Sequence, residues 1–440
     1  MKKFLLCYNY IGTARFYYYT QMGNSVYIIN CPPGWVKTPP LSLLYLNKYL
    51  KNNGAGVRIL DLNTAVFQLF APAQKEWLCL NENLEKNLFP LTEKTFPYLL
   101  ENIYKTLNDF PVIGFTLTKR NRAFSFELAR RIKDKFPEKK IVMGGPHTFF
   151  LERRKELLPD YSWVIGEGEI SLLKILTDKK IKNVYRFFEI DDLDTLGFLD
   201  FSPLNLKAYS PALPVLSSRG CTHKCVFCSE RKLYRKFRQH SAQYTVDQIS
   251  YLQKKYSINR FIFCDSQLNY NDRWLNDFSA LIIRKNIGIK WEAQMRIKED
   301  FPRSLARKLK LSGCYNIFIG LESGSDRMLS LMNKGFTTDA ALDFFKILTK
   351  EGLHFEVSLI FGYPKEEDKD FKETLNFIIG NRQIIPKIAQ ANPFVDYLGN
   401  FPHLSFPAPE AKQRIQKFLS AAEDNKIKYT KSFINNLIYG

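Results

Sequence analysis

The 440-residue sequence predicts an α/β protein that contains two consecutive parallel sheets. Three observations predict this fold class. Short apolar runs typical of buried strands alternate with amphipathic helical segments in two successive series. The loops that follow these runs are rich in glycine and proline, as expected where strands end. A group of three closely spaced cysteines, Cys221, Cys225 and Cys228, lies near the start of the second series.

Composition restricts the class of protein. The length suits two or three domains, and a hydrophobic content of 45% is enough for large buried cores. The aromatic residues 1–24 show no clear pattern, and we treat them as an N-terminal extension. No apolar run approaches the roughly 20 residues of a membrane span, and the N-terminus lacks the features of a secretion signal. Eight cysteines without a regular framework favour a reducing compartment, so we expect a cytoplasmic protein.

The net charge of +20 has two interpretations. Lysine and arginine outnumber aspartate and glutamate by 64 to 44, a surplus that could attract a nucleic acid. However, the basic residues are spread along the whole chain and form no basic tail or arginine-rich block. We therefore expect a solvated basic surface and no nucleic-acid partner.

The first series of alternating segments covers residues 25–175 and predicts a Rossmann-like parallel sheet. A helix should begin at residues 38–40, where prolines suit a first turn, and a helical insertion should occupy residues 64–110. Ligands of open parallel sheets bind beyond the carboxyl ends of the strands, which here carry many glycines. The predicted strands are residues 25–30, 57–62, 112–118, 141–147 and 163–169.

The second series predicts a barrel of alternating strands and helices. Residues 176–214 form the predicted connector, residues 215–385 the barrel, and residues 386–440 a C-terminal cap segment with a helix at 409–425. In barrels of this kind, active groups collect at the carboxyl ends of the strands. The predicted strands are residues 215–218, 260–264, 289–294, 317–321 and 356–361.

The three cysteines form a C-x-x-x-C-x-x-C frame, which suits a small iron-sulfur cluster better than disulfides. A 4Fe-4S cubane has four irons, so three protein ligands leave one iron open to a substrate or cofactor. Zinc usually takes four ligands in paired C-x-x-C spacings, and no second pair follows here. The frame therefore predicts a 4Fe-4S cluster, with a zinc site or buried free thiols as the alternatives.

Residues 217–229, Ser-Ser-Arg-Gly-Cys-Thr-His-Lys-Cys-Val-Phe-Cys-Ser, resemble the signature loop of the radical S-adenosylmethionine (SAM) enzymes, in which SAM chelates the fourth iron. The resemblance implies a partial (β/α)6 barrel, cleavage of SAM to a 5'-deoxyadenosyl radical, and a low-potential electron donor such as flavodoxin or ferredoxin. Residues 363–366 depart from the Pro-Gly-Glu-Thr string that is usual in the family. The SAM contacts that the resemblance implies are Phe227, Asp265, Ser266, Arg296, Glu322, Ser323, Lys334 and Gly362.

Residues 25–175, with the string Pro-Pro-Leu-Ser-Leu-Leu-Tyr-Leu at 39–46, resemble the cobalamin-binding domain of one large radical SAM subfamily. The sequence has no Asp-x-His-x-x-Gly string, which supplies a histidine to cobalt in methionine-synthase-type domains. The radical SAM subfamily commonly lacks this string too, so the resemblance implies base-off cobalamin without a protein histidine on cobalt. In an alternative interpretation the domain is empty, and Gly144 and Gly145 serve only strand-to-helix packing. The cobalamin contacts that the resemblance implies are Pro33, Gly34, Thr116, Leu117, Gly144, Gly145, Gly166 and Glu167.

Together these features predict a cobalamin-dependent radical SAM methyltransferase, or a related carbon-skeleton enzyme, that acts on a small molecule. One alternative is a tRNA-modifying methylthiotransferase with a second cluster, for which Cys7, Cys31 and Cys79 would supply the minimum of three thiolates. Two others are a radical SAM enzyme whose first domain binds no cobalamin and a non-catalytic cobalamin-binding module.

Overall fold

The computed structural model describes residues 24–70, 82–178, 182–396, 399–401, 403–404 and 407–430. The N-terminal extension predicted from the sequence lies outside the described residues, apart from Asn24. The chain divides into two compact units, the first ending at Pro211 and the second beginning at Ala212. Each unit contains a six-stranded parallel sheet, which confirms the predicted fold class.

The sheet of the first unit has the strand order β2-β1-β3-β4-β5-β6, so its direction of winding reverses between β1 and β3. All of its strand pairs are parallel. In such sheets a ligand crevice opens at the point of reversal, beyond the carboxyl ends of the strands. The strands are β1 (Ser25–Asn30), β2 (Gly56–Asp61), β3 (Val112–Thr116), β4 (Lys140–Gly144), β5 (Ser162–Ile165) and β6 (Val184–Arg186).

Helices cover the first sheet because each has one apolar side. The first of them starts at Leu41, just after the predicted start at residues 38–40, with Pro40 as its N-cap. It buries Leu43, Leu44 and Leu50, as the sequence pattern predicts. A large apolar cluster, centred on residues such as Ile113 and Met143, lies between the sheet and its helices. The helices are α1 (Leu41–Asn52), α2 (Leu62–Leu69), α3 (Glu82–Thr95), α4 (Pro97–Leu107), α5 (Arg122–Lys135), α6 (Thr148–Arg153) and α7 (Glu169–Thr177).

The second unit is a partial (β/α)6 barrel, because its six parallel strands follow one another in sequence order from one edge of the sheet to the other. Two further short strands, β8 and β9, pair antiparallel outside this sheet. The strands are β7 (Leu213–Val215), β8 (Ser218–Arg219), β9 (Arg238–Gln239), β10 (Arg260–Phe263), β11 (Lys290–Met295), β12 (Cys314–Glu322), β13 (Phe355–Phe361) and β14 (Ile388–Pro393).

Side-chain caps define where several barrel helices begin. Ser241, Asn271 and Thr337 each accept hydrogen bonds from backbone amides in the first turn of the helix that follows. None of the described helices has both the length and the apolar content needed to cross a bilayer. The helices are α8 (Glu230–Leu233), α9 (Ala242–Tyr256), α10 (Asp272–Arg284), α11 (Arg303–Leu311), α12 (Asp326–Leu331), α13 (Thr338–Lys350), α14 (Asp368–Gly380) and α15 (Pro409–Asp424).

The boundaries differ from the sequence predictions in three ways. The predicted third, fourth and fifth strands run two to four residues too far, because the glycine-rich strings after them belong to loops. The first barrel strand, placed at residues 215–218 by the sequence, is β7 at Leu213–Val215. Strand β6 lies in the predicted connector and β14 in the predicted cap segment. Three residues are too few to show a strand period, which explains why β6 was missed.

A short segment after α15 lies beside the last barrel strand. The amide of Ile388 donates to the carbonyl of Lys428 at 2.8 Å, and the amide of Thr430 donates to the carbonyl of Ile388 at 3.1 Å. Tyr429 forms a parallel bridge with Ile388. Residues 428–430 therefore cover part of the β14 edge.

Candidate functional site

The three cysteines lie in a loop whose two ends are held together by a pair of short strands. Strands β8 and β9 pair Ser218 with Gln239 and Arg219 with Arg238. Gly220 opens the loop with a φ of +85°, and a Cβ there would lie 2.9 Å from the carbonyl oxygen of Lys236. Only glycine combines this backbone angle with so close an approach. Backbone geometry therefore requires glycine at the position directly before the first cysteine.

All three cysteines are unpaired and only partly exposed. Burial raises the pKa of the Cys221 thiol, and it raises that of Cys228 to about 11. These groups are therefore protonated at neutral pH unless a cation stabilises their thiolates. Nη1 of Arg296 donates to Sγ of Cys225 at 3.4 Å, which places one positive charge against the cysteine loop.

Hydrogen bonds from neighbouring segments hold the backbone of this loop in place. The amide of Val226 donates to the carbonyl of Met332 at 3.1 Å. Asn333 donates through Nδ2 to the carbonyl of Lys224 at 2.9 Å, and Asn400 donates to the carbonyl of Val226 at 3.0 Å. The loop is therefore ordered by the protein itself.

The donor set fits a cubane. Within the described part of the chain, no three His, Cys, Asp or Glu side chains converge as a single metal ion would require. A cubane makes a different demand, because each of its thiolates binds a separate iron and the ligands stand further apart. Three free thiols in one short, anchored loop, with a guanidinium beside them, meet that demand.

A buried ion pair lies at the carboxyl ends of β12 and β13. Nζ of Lys334 is 3.3 Å from Oε1 of Glu322, and the hydroxyl of Ser358 donates to Oε2 of Glu322 at 3.0 Å. Glu322 has a φ of +73° and follows a register shift in β12. A Cβ on Gly320 would lie 2.3 Å from Oε1 of Glu322, so the glycine leaves the space that the carboxylate occupies.

Two aromatic rings connect this ion pair to the cysteine loop. Nζ of Lys334 lies 5.8 Å from the ring centroid of Phe227 and 5.5 Å from that of Phe336. The guanidinium carbon of Arg296 lies 5.4 Å from the same Phe336 ring. The structure thus brings Phe227, Arg296, Glu322 and Lys334 together beside Cys225, although the sequence places them in separate segments.

Other residues predicted to contact SAM are engaged within the protein. Asp265 is fully buried and accepts hydrogen bonds from the amide of Ser217 at 3.1 Å and from the hydroxyls of Ser217 and Ser218. Burial raises the pKa of Asp265. Ser266 is exposed and hydrogen-bonds to Glu230. Through its hydrogen bonds with Ser217 and Ser218, Asp265 supports the start of the cysteine loop, and its contact with SAM stays a prediction.

Ser323 and Gly362 also have clear packing roles. The hydroxyl of Ser323 lies 3.0 Å from that of Thr374 and accepts from the amide of Ser325 at 3.1 Å. Gly362 has a φ of +74°, and a Cβ there would lie 2.5 Å from Cβ of Ala411 in α15. Both residues keep α14 and α15 against the barrel, and their contact with SAM stays a prediction.

Several residues of this site gave no signal in the sequence. Asn269 donates to the carbonyl of Arg296 at 2.8 Å and accepts from the amide of Arg296 at 2.9 Å, so it fixes the backbone that carries the guanidinium. Oε1 of Gln267 lies 3.8 Å from Sγ of Cys221. Phe336 and Ser358 are two further residues of this site that the sequence did not indicate. Their roles depend on contacts between distant strands, which no local pattern reveals.

The carboxyl edge of the first sheet has a different character. Gly145 has a φ of +98°, and a Cβ there would lie 2.6 Å from the carbonyl oxygen and 2.7 Å from the amide nitrogen of Leu117. The amide of Leu117 donates to the carbonyl of Gly144 at 2.7 Å. The glycine pair thus lets the loops after β3 and β4 pack backbone against backbone, and it brings the predicted residues Thr116 and Leu117 beside it.

Asn121 joins the loops on the two sides of the strand reversal. Its Nδ2 donates to the carbonyls of Cys31 at 3.1 Å and Thr116 at 2.9 Å, and its Oδ1 accepts from the amide of Thr118 at 2.8 Å. Sequence reasoning missed this residue. The loop after β1, which carries Pro33 and Gly34, is in turn held by a 2.7 Å hydrogen bond from the Gly34 amide to Oδ1 of Asn63.

Gly166 and Glu167 lie in the loop after β5. A Cβ on Gly166 would lie 3.0 Å from Cδ1 of Phe187, and Glu167 is buried and accepts from the amide of Ile190 at 3.4 Å. His147 is also buried, and its Nε2 has no hydrogen-bond partner among the described residues. Burial, followed by the charges of Arg122, Arg154 and Lys119, lowers the pKa of His147 to about 4.

This edge fits a polar ligand rich in amide groups, as cobalamin is. The loop backbone remains partly accessible at Gly34, Thr116 and Gly144, next to the strand reversal where α/β sheets bind ligands. Nε2 of His147, which has no hydrogen-bond partner among the described residues, lies buried behind this edge. Cys31, one of the thiols considered for a second cluster, is fully buried, whereas Cys7 and Cys79 lie outside the described residues.

Comparison with known proteins agrees with this geometry. Residues 215–378 match the family model described as the radical SAM superfamily. The match contains the cysteine loop together with Arg296, Glu322 and Lys334. The chain therefore carries a radical SAM domain.

Two relatives with methyltransferase names align with about two thirds of this chain. An uncharacterized methyltransferase of Pyrococcus horikoshii is 28% identical over 61% of this chain and 64% of the relative. A bacteriochlorophyllide d C-12(1)-methyltransferase of Chlorobaculum tepidum is 25% identical over 67% of this chain and 66% of the relative. These matches span slightly less than two thirds of each relative's own length.

Solved structures share the fold. The cobalamin-dependent SAM radical enzyme OxsB, determined with aqua-cobalamin and SAM bound, matches with a TM-score of 0.62 and 19% identity over 92% of this chain and 56% of that chain. The radical SAM methyltransferase TsrM of Kitasatospora setae matches with a TM-score of 0.62 and 15% identity over 83% of this chain and 72% of that chain. At sequence identities of 19% and 15%, these structural matches support the fold alone.

Proposed function

We propose that this protein is a cobalamin-dependent radical SAM methyltransferase that acts on a small-molecule substrate. The observation that carries the proposal is the convergence of Arg296, Lys334 and Glu322 beside Cys225 in a radical SAM domain. The methyltransferase and cobalamin parts draw support from the named relatives and from the fold shared with OxsB and TsrM.

Each side chain has a role that follows from its charge and position. Cys221, Cys225 and Cys228 would hold a 4Fe-4S cluster, and Arg296 would balance part of the negative charge of that cluster and its thiolates. Lys334 would attract the SAM carboxylate, while Glu322 holds the Lys334 ammonium group in one position and Ser358 holds the Glu322 carboxylate. Phe227 packs against an apolar group of Met328, Met332, Tyr363 and Phe394, which would shield this end of the site from water.

The bound groups supply chemistry that these side chains lack. When bound, the cluster would supply the electron that breaks a carbon–sulfur bond of SAM, which gives methionine and a 5'-deoxyadenosyl radical, and a corrinoid would supply a methyl group. A low-potential donor of the flavodoxin or ferredoxin type would provide the electron. The protein's own contribution is to bind, orient and exclude water. The sequence of the first unit has no Asp-x-His-x-x-Gly string, so it would offer a corrinoid no histidine of that type.

Anaerobic reconstitution tests this proposal. The wild-type chain should bind about four irons, as expected for one cubane, and should form 5'-deoxyadenosine from SAM under dithionite, measured by liquid chromatography and mass spectrometry. A C221A/C225A/C228A variant should lose both properties but still bind hydroxocobalamin, because its substitutions lie outside the first unit. Formation of 5'-deoxyadenosine by this variant would refute the cluster assignment. Absence of hydroxocobalamin binding by the wild type would refute the cobalamin part alone.

A further inference from the structure

Trp35 is an exposed tryptophan whose position is nevertheless fixed. Its side chain is 60% exposed, whereas the other three described tryptophans, Trp163, Trp274 and Trp291, are at most 8% exposed. Large aromatic side chains are normally buried because they carry so much apolar area. Trp35, in a loop that otherwise buries Pro32 and Pro33, is thus available to contact a ligand.

Hydrogen bonds on both sides hold this side chain in one orientation. Asn63 accepts from the amide of Gly34 at 2.7 Å and donates to the carbonyl of Trp35 at 2.9 Å. The indole Nε1 donates to the hydroxyl of Thr38 at 3.0 Å. The edge of the indole is therefore satisfied within the loop, and the ring faces are what the loop presents. Such preorganisation lowers the entropy cost of stacking on a planar ligand.

The surroundings of the ring indicate what the ligand carries. Nζ of Lys37 lies 5.5 Å from the centroid of the Trp35 ring. The loop follows β1 directly, at the point where the strand order reverses and α/β sheets bind ligands. An aromatic face next to an ammonium group suits an aromatic base that carries a phosphate.

We propose that Trp35 stacks on the benzimidazole base of a bound cobalamin and that Lys37 pairs with the phosphate of the same nucleotide tail. This inference rests on the cobalamin part of the proposed function. In base-off cobalamin the base has left the cobalt and needs its own place on the protein. Trp35 offers it an aromatic surface, and Lys37 offers the adjoining phosphate an opposite charge.

Corrinoid binding to the full-length protein tests the assignment. Hydroxocobalamin and dicyanocobinamide, which lacks the nucleotide tail, are titrated anaerobically and followed by absorbance. Stacking on a base contributes about 1–3 kcal/mol by alanine substitution, so Trp35→Ala should weaken hydroxocobalamin binding by roughly 5- to 150-fold. Dicyanocobinamide affinity should stay the same. Trp35→Phe should retain most of the affinity, and Lys37→Met should weaken only the hydroxocobalamin complex, with a smaller dependence on salt.

Leu158→Ala is the matched control, because Leu158 is a 45% exposed apolar side chain elsewhere in the same unit. It should bind both corrinoids as the wild type does. Equal weakening of both corrinoids by Trp35→Ala would overturn the base assignment in favour of the macrocycle. No weakening of either would overturn it altogether. Displacement of hydroxocobalamin by adenosine monophosphate would also overturn it, by indicating a site for free nucleotides. A wild type that binds neither corrinoid would instead refute the cobalamin part of the proposed function.

Discussion

The carboxyl edges of the two sheets are held together by different forces. In the barrel the edge depends on side-chain charges and hydrogen bonds, with Asp265, Glu322 and Lys334 all buried. In the first sheet the edge depends on close backbone approaches, such as Gly145 against Leu117, and on hydrogen bonds from the uncharged side chains of Asn63 and Asn121. The barrel edge should therefore be sensitive to lost charge, and the first edge to added volume. This difference also explains why charged residues in the sequence predicted the site on the barrel, whereas glycines predicted the site on the first sheet.

The largest effect should come from Lys334→Met, which tests the role of charge at the barrel edge. The substitution leaves the Glu322 carboxylate buried without its partner. Removing one member of a buried pair typically costs about 3–5 kcal/mol. We expect a loss of that size in the unfolding free energy of the second unit, measured by urea denaturation, together with weaker SAM binding in calorimetry.

Two variants make this prediction specific. Lys346→Met removes an exposed ion pair with Asp343, and it should cost at most about 0.5 kcal/mol. Adding Glu322→Gln to Lys334→Met should recover part of the lost stability, since no unpaired charge remains. If Lys334→Met and Lys346→Met unfold alike, the barrel edge does not depend on its buried charge.

The next effect should come from Gly145→Ala, which tests the role of volume at the first edge. The added methyl would lie 2.6 Å from a backbone oxygen at a φ of +98°. We expect a loss of about 2–4 kcal/mol in the unfolding free energy of the first unit. Gly54→Ala is the matched control, because Gly54 has a φ of +75° but open space around it, and it should cost about 1 kcal/mol. Equal losses would mean that backbone angle alone, and not close approach, explains Gly145.

Sequence reasoning reached these two edges with unequal success. The spacing of the cysteines and the polar residues after strands predicted the segments that meet at the barrel edge, because their chemistry is local. Sequence reasoning did not find Gln267, Asn269 or Asn121, since each acts through a hydrogen bond to a segment distant in sequence. Gly144 and Gly145 were predicted as cobalamin contacts, and that stays a prediction; the structure adds that Gly145 packs tightly against the loop after β3.

A pH-dependent effect should come from His147, which is buried after β4 at the first edge. Burial lowers the pKa of His147 to about 4, below its unfolded value near 6.5, so the folded state binds fewer protons between these values. Above about pH 6.5 His147 therefore does not reduce the unfolding free energy. As the pH falls below that value, the unfolding free energy decreases, because the unfolded state gains a proton that the folded state does not bind. Between pH 7 and pH 5 the loss should be about 2 kcal/mol.

Comparison with His147→Gln isolates this contribution. Lowering the pH should destabilise the variant by about 2 kcal/mol less than the wild type. His223, whose pKa burial also lowers to about 4, is present in both proteins and cancels in the difference. Parallel pH profiles of the unfolding free energy would show that His147 is not held neutral in the folded protein.

The smallest effect should come from Gly34→Ala. Its Cβ would lie 3.4 Å from Nδ2 of Asn63, at the border of ordinary contact, and its φ lies outside the left-handed region. The unfolding free energy should change by no more than about 0.5 kcal/mol. A loss as large as that of Gly145→Ala would mean that the whole edge, and not one contact, resists added volume.

Residues 428–430 have a practical consequence for work on the barrel. By lying along β14 they occupy backbone groups that would otherwise face outward as a free strand edge. A chain truncated after Asp424 would uncover that edge, and exposed strand edges readily recruit other chains. Shortened forms of this protein should therefore self-associate in light scattering, whereas forms that retain Thr430 should remain dispersed.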